Sequence, residues 1–204
     1  YKAYFNLAYY YENDIGGGGR NVKLAKEYYL ISAEKGYEYA QYVVGNYYLH
    51  GVLGFEQNGE KAIEWLQRAA DNGHPMAKND LAVALFQGEE CKKDIALALK
   101  LFEEAAQEKV PNSLFSLGYI YYNGQEVQKE AAHYFLESAN LGYAPAMMNY
   151  GYMCASGDGI RKNLDDGLFW LLSAIENGED GAMEYLTKYY KQNRRGEWVK
   201  KLFS

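Results

Sequence analysis

Residues 40–73 read AQYVVGNYYLHGVLGFEQNGEKAIEWLQRAADNG, and the order of small, bulky and glycine positions in this stretch decides the fold. Ala40, Val44 and Tyr48 are spaced by four residues, which places them on one face of a helix at about 100° per residue. Gly45, beside Val44, lets a neighbouring helix come close, and Gly51 falls where a left-handed turn would end the helix. A second apolar stripe follows in Ala62, Trp65-Leu66 and Ala70, with Gly73 as its stop. The stretch predicts two helices folded back on each other.

The same order recurs along the chain. Ala3, Ala40, Ala77, Ser113, Ala146 and Ala182 open successive repeats, at steps of 37, 37, 36, 33 and 36 residues. Leu7, Val44, Leu81, Leu117, Tyr150 and Leu186 stand four residues on. The small residues beside them are Ala8, Gly45, Ala82, Gly118, Gly151 and Thr187. Gly51, Gly88, Gly124 and Gly157 mark the expected left-handed ends of the first helices. Ala25, Ala62, Ala98, Ala131 and Gly167 open the second helices. From Ala33, Ala70, Ala106, Ala139 and Ile175 to the next start is always 7 residues, so all length variation falls between the helices of one pair. A connection of constant length is packed, whereas a variable one is an outer loop. The pattern predicts an all-α chain: a solenoid of about five and a half helix hairpins filling residues 1–204 as a single domain.

Composition agrees. The chain of 204 residues is 49% apolar and 24% charged, with 22 tyrosines, and its three prolines leave long helices uninterrupted. Twenty-one Lys and Arg against 27 Asp and Glu give a net charge of −6, which argues against nucleic acid as a partner. No run approaches the roughly 18 apolar residues of a membrane span, so membrane insertion is not expected. Cys91 and Cys154 are too few for a disulfide scaffold. A start at Tyr1 rather than Met points to a longer or processed product. The compartment stays open, with the cytoplasm favoured and the periplasm or secretion available if a signal peptide has been removed.

The pattern Ala-x3-Leu-Gly-x2-Tyr-x2-Gly, loop, Ala-x2-Trp-aromatic-x2-Ala-Ala-x2-Gly resembles the Sel-1-like repeat, a relative of the tetratricopeptide repeat. Gly45, Tyr48, Gly51, Ala62, Trp65, Ala69, Ala70 and Gly73 make the second repeat its cleanest match. Departures are Ala82, Leu85 and Lys109 in the third repeat, Gly167 in the fifth, and Gly16-Gly17-Gly18-Gly19 in the first loop. The resemblance implies a right-handed superhelix whose first helices line a concave surface that binds other proteins. Bacterial members of the family often act as adaptors, signalling regulators, host-interaction factors or immunity proteins against a secreted toxin.

Positions 2, 6 and 9 residues after each start point away from the packing face of an isolated first helix. They hold Phe5 and Tyr9 in the first repeat, Tyr42, Asn46 and Leu49 in the second, and Asn79 and Phe86 in the third. Phe115, Tyr119 and Tyr122 follow in the fourth, and Met148 and Tyr152 in the fifth. His50 falls near the rim. Aromatic area with polar tips is the composition of a protein-recognition surface, with Tyr42, Phe86, Phe115, Tyr119 and Tyr152 as the expected anchors. The acidic net charge suits a basic partner such as a toxin or signalling protein.

Chemistry of other kinds finds little support. His50, His74 and His133 share no metal-ligand spacing, and no cofactor motif is present. The run Gly16–Gly19 lacks the Lys-Ser/Thr ending of a phosphate loop and is read as a flexible outer loop. Glu89-Glu90, Glu103-Glu104 and Asp165-Asp166 are adjacent pairs that face different ways, so none sets an acid opposite a base. Asp94 and Asp165 match the acidic position before a second helix. The basic residues Lys188, Lys191, Arg194, Arg195, Lys200 and Lys201 are expected on a solvated capping helix. Some cysteine-rich secreted family members are described as β-lactamase-like or penicillin-binding, and a cell-wall enzyme is therefore the alternative reading. This chain resembles them in spacing only, because their paired cysteines are missing. Phe203-Ser204 ends the sequence before a second helix of the sixth repeat is complete, and weak dimerisation through solenoid ends near Tyr185 and Tyr189 is expected.

Overall fold

The computed structural model describes residues 1–89, 91–124 and 128–201, so Glu90 and Phe203-Ser204 lie outside the described residues. Five antiparallel helix pairs follow one another. They are α1 (Lys2–Asn13) with α2 (Val22–Glu34), α3 (Glu38–His50) with α4 (Gly59–Asp71), α5 (Pro75–Gln87) with α6 (Ile95–Gln107), α7 (Pro111–Asn123) with α8 (Gln128–Asn140), and α9 (Ala144–Ser156) with α10 (Leu164–Glu176). They gather into two compact units, Tyr1–Glu108 and Lys109–Ser204. In the first unit α2 packs on α3 and α4 on α5; in the second α8 packs on α9 and α10 on α11 (Ala182–Tyr189). No helix among the described residues is long and apolar enough to cross a membrane.

Side chains at the helix starts dictate where the second helices begin. Asn21, Asn58 and Asp94 accept from the backbone N–H groups of Leu24, Lys61 and Leu97 at 2.9–3.0 Å, each four residues before the small residue that opens the apolar stripe. In α10 the cap is Asn163, which accepts from the N–H groups of Asp165 and Asp166. Asp165 is thus not a cap but a first-turn residue, where its charge faces the positive end of the helix dipole. First helices end at Gly51, Gly88 and Gly157 in left-handed conformation. Gly124 departs from that expectation: its backbone is extended, and its N–H still reaches the Ile120 and Tyr121 carbonyls, so α7 closes without a left-handed turn.

The small positions are contact points between paired helices. A Cβ on Gly45 would stand 3.0 Å from Leu66, on Gly151 3.0 Å from Leu171, and on Gly118 2.7 Å from Phe135. The alanines at the stripe positions, among them Ala25, Ala40, Ala62, Ala77 and Ala146, are fully buried. The glycine at 167 has its own cause, since a Cβ there would meet the Tyr190 hydroxyl at 2.7 Å and Ala155 at 2.9 Å.

The C-terminal segment differs from the expected capping helix. α11 lasts eight residues, after which β1 (Tyr190–Gln192) pairs antiparallel with β2 (Trp198–Lys200). Tyr190 therefore lies in a strand, with its hydroxyl donating to the Leu164 carbonyl at 2.6 Å. Gly196, at φ 79°, and Asn193, whose side chain accepts from the N–H groups of Arg195 and Glu197, close the hairpin. Of the basic cluster only Lys188 is helical; the others lie on or beside the hairpin.

Candidate functional site

In the first unit, α1, α3 and α5 present the expected partner-facing positions, but much of that face is occupied by the next repeat. The Phe5 ring packs edge-on against Tyr29 and Tyr37 at 5.4 and 5.3 Å. Beside it, the Glu12 carboxylate receives hydroxyls from both Tyr29 and Tyr47, at 2.7 and 2.8 Å. Burial, with Glu12 adjacent, pushes both tyrosines well above the ordinary phenol range. Tyr42 stacks on His74 at 4.4 Å, and burial together with Asp80 pushes its hydroxyl up to about 12. Asn46 donates to the Tyr42 carbonyl, Leu49 is half-buried, and the half-buried Phe86 lies under Lys93. Tyr9 is half exposed and His50 is exposed.

Asn79 corrects the sequence reading. It is 4% exposed and donates to Asp80 at 3.0 Å, so it belongs to the interior rather than to a partner surface. The helical-wheel argument treats each first helix as if alone, yet packed helices lie about 8–10 Å apart, so a side chain projecting sideways meets the next one.

The second unit repeats this arrangement on α7 and α9. Phe115 sits between Phe135 and Tyr143, at 5.7 and 5.2 Å. Tyr122 donates to Asp158, Met148 packs in the core of the last repeats, and Tyr152 tilts against Tyr185 at 4.8 Å. Tyr119 stands apart, 55% exposed.

Several exposed rings lie outside the positions expected from the sequence, among them Tyr1, Tyr10, Tyr39 and Phe169. Phe169 on α10 is 60% exposed and packs edge-on to Trp170. The signal was available: the equivalent second-helix position is Glu27, Glu64, Lys100 and His133 in the other repeats, polar every time.

The remaining polar groups have structural uses. Gly19 N–H donates to the Asp14 carboxylate at 2.6 Å, so an anion of the chain itself sits at the glycine run where a phosphate would have to bind. Glu104 pairs with Lys78 and Lys100, and Asp165 with Lys200. Among the described residues no cluster of His, Cys, Asp and Glu could hold a metal ion.

Helix hairpins that repeat at a nearly constant step, with a small residue, glycine in three pairs and alanine in two, at the contact inside each pair and side-chain caps on four of the second helices, define an α/α repeat protein of the solenoid class. Successive matches to the Sel1 repeat cover residues 2–37, 38–74, 75–109, 111–143 and 144–179, and the chain belongs to the Sel1 repeat family. A solved Sel1 repeat protein from Oxalobacter formigenes shares the fold with a TM-score of 0.84 and 27% identity, over 96% of this chain and 80% of its own. Chitin synthase regulatory factor 3 of Schizosaccharomyces pombe is 32% identical over 106 residues, 52% of this chain and 11% of its own length. The exopolysaccharide production negative regulator of Rhizobium meliloti is 28% identical over 141 residues, 61% of this chain and 53% of its own. The chain therefore spans about a tenth of the first of these two curated relatives and about half of the second.

Proposed function

We propose that this chain is a non-catalytic protein-binding module that acts as an adaptor or regulator. The observation that carries the reading is the sixth position after each repeat start, which is Tyr9, Asn46, Val83, Tyr119 and Tyr152. This position varies in character and carries the exposed rings of Tyr9 and Tyr119. In the first unit partner contact would centre on Tyr9, with Tyr42, Asn46, Leu49, His50 and Phe86 offering their solvent-facing edges, and in the second unit on Tyr119, with Met148 and Tyr152. Rigid tyrosines supply contact area at low entropic cost, and a few such anchors carry most of the binding energy of an interface. Two relatives that are regulators by name support the regulatory role, and the net charge of −6 favours a basic partner.

The test is affinity capture with mass spectrometry, comparing the parent with a Tyr9→Ala, Tyr119→Ala variant of unchanged circular dichroism. A partner enriched by the parent and lost by the variant supports the reading, and its identity separates a regulated enzyme or scaffold from a basic toxin. Equal enrichment by both proteins moves the site away from the first helices. Turnover or acylation of a chromogenic β-lactam by the parent would replace the reading with an enzymatic one.

A further inference from the structure

In the second unit a pocket of about 640 Å³ opens between α8, α9 and the loop that leads into α10. Its volume lies within the range of roughly 300–1,000 Å³ typical of small-molecule sites. Ala132 and Leu136 of α8, Tyr150 and Cys154 of α9, and Ile160 of the loop give it apolar walls. Burial pushes the Cys154 thiol and the Tyr150 hydroxyl upward, the latter to about 12, so both present neutral groups to the pocket at physiological pH.

The polar lining is cationic. Lys129, Arg161 and Lys162 face one carboxylate, Asp166, whose Oδ2 already accepts from Asn163 at 2.6 Å. His133 also lines the pocket, 3.7 Å from Glu137, and Lys162 lies over the Tyr189 ring. Lys129 and Arg161 form no ion pair with any described residue, although they come from different elements of consecutive repeats and meet at this one opening. Two cations, Lys129 and Arg161, without an ion pair among the described residues and set at an apolar recess make a site for an anion that also carries an apolar body. The planar Arg161 guanidinium matches a carboxylate in a two-point pair, while Asp166 in the wall disfavours a doubly charged phosphate.

The geometry points to this pocket as a binding site for a small organic carboxylate with an apolar body, held by Lys129 and Arg161. It shares no residue with the partner-facing positions proposed above, so it stands or falls separately from the protein-binding reading. A ligand here would touch α8 of one repeat and α9 and its loop in the next, and so would stabilise their packing.

Isothermal titration calorimetry on the whole chain tests the site with 4-phenylbutyrate as probe, its neutral amide as control, and a Lys129→Ala, Arg161→Ala variant. Both substituted residues are exposed, and circular dichroism confirms that the variant is folded. The expected result is saturable one-to-one binding of the acid, at least tenfold weaker in the variant and at least tenfold weaker for the amide, with a rise in the parent's Tm on saturation. No saturable binding at millimolar probe, equal binding of acid and amide, or equal binding by parent and variant would each overturn the assignment.

Discussion

The Tyr122 hydroxyl donates to Asp158 Oδ2 across 2.6 Å, tying α7 of one repeat to the outer loop of the next. Its environment, chiefly burial and then the Asp158 carboxylate, pushes the phenol well above its ordinary value, so the bond persists across the physiological range. A tyrosine that a helical wheel aims at solvent is here a brace between hairpins.

Tyr122→Phe keeps the ring and removes only that bond. A hydrogen bond to a charged but partly exposed acceptor contributes about 1 kcal/mol, which corresponds to a fall of about 2–4 °C in Tm for a chain of this size. Thermal unfolding should show that loss while partner capture is unchanged. Lost capture with unchanged Tm would instead place the hydroxyl at the interface.

Gly118→Ala should destabilise the second unit. The new Cβ would stand 2.7 and 2.8 Å from the ring carbons of Phe135, a core residue that is 1% exposed and cannot swing away. Overpacking of this kind costs about 1–3 kcal/mol, more than the roughly 1 kcal/mol that alanine gains over glycine in a helix. Urea denaturation giving equal or greater stability would show that α7 and α8 have room to separate.

Acid should weaken the chain through His74. Its Nδ1 accepts from the Ala77 N–H at 3.2 Å, capping α5, and the ring lies between Tyr39 and Tyr42. Burial lowers its pKa, outweighing the opposite pull of Glu38, Asp80 and Glu108. A depressed histidine favours the neutral form in the folded state. Its contribution is therefore complete above the unfolded value of about 6.5 and is lost as pH falls from there through the folded value. His74→Asn retains a capping oxygen without a titrating ring. It should have a lower Tm at pH 7, from lost ring packing, but a shallower decline between pH 7 and 5. Parallel declines would remove His74 from the acid response.

Lys109→Gly should stabilise. Lys109 has φ 61°, a left-handed conformation in which the corresponding Gly36, Gly73, Gly142 and Gly178 have φ of 85–90°. Relief of that strain is worth about 1 kcal/mol, against loss of a solvent-exposed pair with Glu137 that contributes little. A measured decrease in stability would mean that the ion pair outweighs the backbone strain.

Much of this architecture is legible in the sequence. The spacing of Ala40, Val44, Gly45 and Gly51, copied along the chain, identifies helix pairs, their boundaries and the faces they bury, because a 3.6-residue period and the glycine preference for positive φ are local properties. Asp94, read as the acidic residue before a second helix, caps α6, whereas in the fifth repeat Asn163 rather than Asp165 takes that place. The terminal hairpin was harder to see, since Tyr190 continues the helical register and leaves the helix to reach the Leu164 carbonyl, a bond that exists only once α10 is in place. The recognition face depended on tertiary structure most of all. Phe5, Phe115 and Tyr122 occupy the same kind of position as the exposed Tyr9 and Tyr119, and contacts with second helices and with the start and loop of the next repeat separate braces from surface. The sequence by itself determined the repeat, its helices and its close contacts, which arise within about 40 residues of chain. Which tyrosines stay open, and where Lys129 and Arg161 meet an apolar recess, was decided by how consecutive repeats stack, because burial depends on neighbours that a single repeat does not contain.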